Sequence, residues 1–301
     1  MSARDSPAWT FLAFLFALLG AMLLAAVASP WVMWLLAPLH AFPLHRIFSR
    51  LTMLGVIGFT VWLLMRHGLA QRELLGYQRP PRVFLLRLLA GLAVGLVLMS
   101  IAVIPLFLLH VREWNAARLA TAGILPVALK GLGSGLLVAL IEETFFRGAM
   151  QGALMRQGAR SMALFAVPAF YAAVHFLGRA ESVPAEQVDA LSGFIALGGF
   201  FSGFAEPLRI LDAFVALYAV GLLLALVRRR FGDLAGCIGL HAGFVAVITV
   251  FRKISVAAAP GEWSFLVGGF DGLLGLWLAL LTSLLCVAVW RPDPVSRMER
   301  A

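Results

Sequence analysis

ALIEETFFRGAM, residues 139–150, sets two glutamates and an arginine inside a run that otherwise reads as lipid-facing helix. On insertion scales each such charge costs about 2.5–3.5 kcal/mol at the centre of a bilayer, so three together cost roughly 7–10 if nothing offsets them. Pairing offsets part of it. Glu143 and Arg147 stand four apart with the acid on the N-terminal side, the favoured order for a helical ion pair. Glu142 projects about 100° away from that pair. It shares its face with Gly135, Val138, Ala139 and Ala149, small enough to let a neighbouring helix approach. The stretch therefore predicts one structural ion pair and one carboxylate turned toward something else.

Outward from this stretch, the chain is apolar almost everywhere: 62% of its 301 residues are hydrophobic and 13% charged. A soluble domain could not hide that surface, and runs of about 20 apolar residues recur, the length needed to cross a bilayer. The pattern predicts an all-α, polytopic membrane protein of about eight transmembrane helices with a buried polar site. It reads as one integral-membrane domain over residues 1–301, with the motif-bearing part at about 130–250. The expected spans are about 8–28, 47–65, 85–109, 131–155, 161–178, 208–227, 231–251 and 272–290. Residues 8–28 end in AVA before Ser29, resembling a signal-peptidase site. The run is longer than a usual signal core and lacks a strongly basic leader, so it reads as a retained first helix. Residues 30–44, broken by Pro30, Pro38 and Pro43, are expected to lie along the interface with Trp31 and Trp34 as anchors. Residues 190–204 (ALSGFIALGGFFSGF) are short and glycine-rich, and read as a re-entrant or interfacial segment.

The net charge of +9 resides in short loops rather than in a basic domain, which argues against nucleic acid as a partner. Arg66, Arg72, Arg79 and Arg82 fill one loop, Arg156 and Arg160 another, Arg228, Arg229 and Arg230 a third, and Arg291, Arg297 and Arg300 the tail. The 179–207 loop is acidic by comparison. By the positive-inside rule both termini are expected in the cytoplasm, at the cell membrane. Cys237 and Cys286 are too few and too apolar in setting for a disulfide framework or a CxxC metal site.

Two histidines, His175 and His241, also fall in apolar runs. Measured from the expected cytoplasmic ends at 1.5 Å per residue, Glu142 lies about 20 Å deep, His175 about 21 Å and His241 about 15 Å. Three ionisable groups on three helices thus share a layer. Such a set could activate a water through the carboxylate while the imidazoles share the proton or stabilise an oxyanion. It could also bind zinc with one position left open, or merely hold helices together.

EETFFR at 142–147 resembles the EExxxR signature of the CAAX prenyl endopeptidase and bacteriocin-processing family (CPBP, or Abi) of intramembrane proteases. YAAVH at 171–175 resembles its FxxxH motif. LVRRRFGDLAGCIGLHAGF at 226–244 resembles the third: a helix, a basic turn, then a helix with histidine. The resemblance covers about residues 130–250. It implies an eight-helix fold with a cavity opening to the cytoplasm, and a membrane-associated protein or peptide, met in membrane lipid, as substrate. It implies that Glu142 and His175 activate water, that His241 stabilises the oxyanion, and that Glu143 and Arg147 hold the site together. Tyr171 stands where the family has Phe, and Val245 where it often has Asn. There is no HExxH, so a zinc ion would need Glu142, His175 and His241 from three helices; a mechanism without a cofactor is favoured. The competing readings are an ion- or proton-coupled transporter, against which no pseudo-repeat stands out, and a non-catalytic member acting by binding.

Overall fold

The computed structural model describes residues 6–39, 42–178 and 183–290. Both termini, with Arg291, Arg297 and Arg300, lie outside the described residues, as do His40 and Arg179. The chain runs α1 (Pro7–Leu36), α2 (Leu44–Arg66), the single turn α3 (Arg72–Leu75), α4 (Pro81–Leu108), β1 (Arg112–Trp114), α5 (Ala116–Ala122) and α6 (Ile124–Glu143). A π-helical stretch, Thr144–Met150, carries α6 into α7 (Gln151–Arg156). A second, Met162–Ala166, leads into α8 (Val167–Val174). Then come α9 (Ser192–Phe200), α10 (Pro207–Phe231), α11 (Ala235–Ile254), β2 (Ser255–Ala257) and α12 (Leu276–Val289).

This is an all-α polytopic membrane protein. Among the described residues six helical runs are long and apolar enough to span: Pro7–Leu36, Leu44–Arg66, Pro81–Leu108, Ile124–Arg156, Pro207–Phe231 and Ala235–Ile254. The two remaining expected spans appear as shorter apolar helices, Met162–Val174 and Leu276–Val289. The last starts late for a local reason. The Asp271 carboxylate accepts the backbone N–H groups of Leu273 (3.0 Å) and Leu274 (2.8 Å), a turn that competes with helix before residue 276.

The expected break at Pro30 is not there: α1 continues through it to Leu36. Pro30 has no N–H to offer the carbonyl of Ala26, four residues back. The backbone of Gly193 in α9 packs against that carbonyl so closely that a Cβ on residue 193 would overlap it. A neighbouring backbone thus covers the site of the missing bond, as proline-bearing membrane helices require. Trp31 and Trp34 meet edge to face on the final turns of α1, ring centroids 5.1 Å apart.

The chain forms two compact units, one of Met1–Gln78 with Glu142–Leu211 and one of Arg79–Ile141 with Asp212–Ala301. The first has its core where α1, α2 and α9 meet, at Met22, Ala25, Ala26, Phe48, Ala196 and Phe200. α9, nine residues long, is too short to span, as its glycine-rich sequence suggests. In the second unit α4 lies against α11 along glycines. Side chains at Gly91 or Gly95 would run into the backbone of residues 236–243, and one at Gly243 into that of residues 92–96. Without a hydrophobic drive between helices in lipid, such backbone proximity is what binds them. β1 and β2 pair antiparallel, Glu113 opposite Val256. The Arg112 guanidinium donates to the Ser255 carbonyl (3.2 Å) and hydroxyl (3.0 Å).

Candidate active site

The acid pair ends α6, and the π-helical stretch begins at the next residue. Its signature bond is present: the N–H of Gln151 reaches the carbonyl of Phe146, five residues back. Inserted π turns recur at functional sites because they re-aim side chains without breaking the helix. Here the stretch buries Phe146, Arg147, Gly148, Ala149 and Met150.

Glu143 and Arg147 form the ion pair that their spacing predicts. Arg147 Nη1 stands 3.2 Å from Glu143 Oε1, and both side chains are fully buried. Desolvating two charges is expensive, and only good geometry with further contacts repays it. Those contacts are aromatic. The Arg147 guanidinium lies 4.3 Å from the centroid of the Tyr171 ring and 5.7 Å from that of Phe146, a cation–π arrangement that desolvation strengthens. Phe146 and Tyr171 meet edge to face at 5.3 Å. Tyr171, itself buried, is thus a wall of the ion pair, a use for the tyrosine that stands where a phenylalanine was expected.

Glu142, one residue earlier, has a different setting. Its Oε2 lies 3.9 Å from His175 Nε2, and the two side chains keep 29% and 26% of their surface exposed. His175 does not sit within its helix: it is the C-cap of α8, where the chain turns away. The expected depth match counted an unbroken helix over 161–178, which the π turn at its start and the cap at its end both shorten. The cap position is what aims the imidazole. His175 Nδ1 is 2.7 Å from the carbonyl of Tyr171. A carbonyl only accepts, so Nδ1 carries a proton, and Nε2 is the ring nitrogen that faces Glu142.

His241 belongs to the second unit, buried on α11. One turn later, Val245 faces α6: a Cβ on Gly135 would come within 3.3 Å of the Val245 Cβ and 2.8 Å of the Ala242 carbonyl. In this chain the position that resembles the family's asparagine packs between helices. At the start of the same helix, buried Asp233 accepts from the N–H of Ala235 (3.2 Å) and from Arg79 Nε (3.3 Å), and also pairs with Arg87. That knot follows the basic residues Arg228, Arg229 and Arg230 in the last turn of α10, which in sequence read as a topology signal and as part of the third motif. Thr144 was also missed. Its hydroxyl lies 2.5 Å from that of Tyr77, 67 positions earlier, a separation that no local pattern announces. Among the described residues no group of three or more His, Cys, Asp and Glu side chains is spaced to hold a metal ion.

Helices long enough to span thus carry a carboxylate and an imidazole face to face beside a sealed ion pair. Residues 123–247 match the family model described as type II CAAX prenyl endopeptidase Rce1-like, so this stretch is similar to that family. Searches of curated proteins and of solved structures gave no match.

Proposed function

We propose that the protein is a glutamate-dependent, metal-free intramembrane endopeptidase that hydrolyses a peptide bond of a membrane-associated protein or peptide. It acts as one integral-membrane domain in the cell membrane with both termini cytoplasmic. The observation that carries the reading is the 3.9 Å separation of Glu142 Oε2 from His175 Nε2, with both side chains part-exposed and Oε2 itself turned inward. The gap is too long for a direct hydrogen bond. A water about 2.8 Å from each atom would fit, subtending roughly a right angle. In this reading the imidazole is neutral with its proton on Nδ1 toward the Tyr171 carbonyl, so both facing atoms accept.

In this reading the water donates one O–H to Glu142 and the other to His175, and its oxygen attacks the scissile carbonyl carbon. The proton taken by Glu142 then passes to the leaving amine and the remaining O–H proton leaves through His175 to solvent, so cleavage yields a carboxylate and an amine with no covalent enzyme intermediate. His241 is assigned the oxyanion by its place in the third motif, as an N–H donor. The arginine-rich loops at 66–82, 156–160 and 228–230 support the topology by the positive-inside rule. Comparing membrane protein termini from cells carrying wild type or Glu142→Gln tests the activity. New N-termini present only with wild type support it; identical termini in the two, with the substrate cut, overturn it.

A further inference from the structure

We infer that residues Arg72–Tyr77 are a brace that spans the π-helical stretch and aims Glu142, with Tyr77 as a positioning residue; this rests on the Glu142/His175 reading. The brace holds the stretch at both ends. At the near end, the Tyr77 and Thr144 hydroxyls are 2.5 Å apart, at the short limit of an O–H···O bond. Thr144 is the first π-helical residue and directly follows the two glutamates. At the far end, α3 rests on α7 so tightly that a Cβ on Gly152 would lie 2.7 Å from the Leu74 carbonyl.

The turn that links the two holds is itself built. Gly76 caps α3 in the left-handed conformation (φ 88°) that favours glycine. The N–H groups of Gly76 and Tyr77 both return to the Arg72 carbonyl, at 2.9 and 2.8 Å. This reversal sends the Tyr77 side chain toward Thr144 rather than along the loop. Burial pushes the Tyr77 phenol above its ordinary pKa, so it remains a neutral hydroxyl at physiological pH.

A π turn can shift along a helix, because moving the extra residue costs little compared with breaking the helix. Such a shift would swing Glu142 away from His175 while leaving the helix intact. Clamping Thr144 and Gly152 fixes where the turn begins and ends. The carboxylate is then held in the geometry that catalysis needs, where errors of about 1 Å can cost 100-fold in rate.

The test uses the full-length protein in native membranes and follows the rate at which wild-type-specific new N-termini appear, from pH 5 to 9. Tyr77→Phe and Thr144→Val should each slow it about 10-fold, the usual yield of one aligned hydrogen bond, with the melting temperature of purified protein unchanged. The double variant should be no slower than either single one, and Thr144→Ser, which keeps the hydroxyl, should recover most of the rate. A wild-type rate in Tyr77→Phe, multiplying losses in the double variant, or losses that follow a lower melting temperature would overturn the brace. If this happens while Glu142→Gln is inactive, only the brace fails. If Glu142→Gln is fully active, the Glu142/His175 reading fails and the brace fails with it.

Discussion

Glu142 and Glu143 are adjacent in sequence, yet the structure treats them as different kinds of group. Glu143 is sealed with Arg147 under aromatic rings, and neither side chain reaches the surface. Glu142, a helical step of about 100° away, keeps 29% of its side chain exposed and faces an imidazole across a gap that a water would bridge. One carboxylate is sealed against a guanidinium and the other stands beside an imidazole. Asp189, on the loop before α9, completes the gradient: it is exposed and bound only by its own turn. Burial and hydrogen-bond setting, not residue type, separate structure from chemistry here.

The comparison breaks most readily at Glu142. Glu142→Gln should lower the rate of substrate cleavage by about 10²–10⁴-fold, the share usually carried by a positioned acid–base group. Its melting temperature should match or exceed that of wild type, and a variant that unfolds instead would make Glu142 a second structural acid. The converse applies to the sealed pair. Arg147→Met leaves the Glu143 charge buried and should cost about 3–5 kcal/mol of stability in thermal unfolding. Pairing it with Glu143→Leu removes both charges and should return the protein to within about 1 kcal/mol of wild type. If the double variant is no better than the single one, the pair does more than balance charge.

The smallest effect belongs to Asp189. A hydrogen bond from the Ser192 hydroxyl, aided by the N–H of Leu191, holds its carboxyl below the ordinary 3.8. A carboxyl depressed by folding adds stability that is fully present above its unfolded pKa and is lost as pH falls through its folded pKa. Ser192→Ala should therefore lower the melting temperature slightly at pH 7 and flatten part of its fall below about pH 4, where the variant converges on wild type. A loss that persists at low pH, with the Asp189 carboxyl protonated, would show that Ser192 supports more than this turn.

Much of this site was legible in the sequence because helical geometry is local. The spacing of Glu143 and Arg147 gives their bond directly, and the offset of Glu142 follows from the same 100°. Apolar run length likewise gives the helices. What escaped was non-local or irregular. Periodicity places His175 inside a helix; the cap that aims it arises where α8 stops at Val174. The two π-helical stretches leave no compositional mark. Strands of three residues are too short to show alternation, and β1 and β2 find each other across most of the second unit. Tyr77 reads as a loop aromatic until Thr144 is seen beside it. Pro30 reads as a helix end because the backbone that lets α1 continue lies in α9.

That last arrangement bears on how the protein is made. The ribosome delivers Pro30 to the membrane long before Gly193 exists, so the nascent first helix enters lipid with the Ala26 carbonyl still waiting for its cover. The covering of that carbonyl is therefore a late event in biogenesis. A chain released before α9 would carry a weak point that the finished protein has already closed.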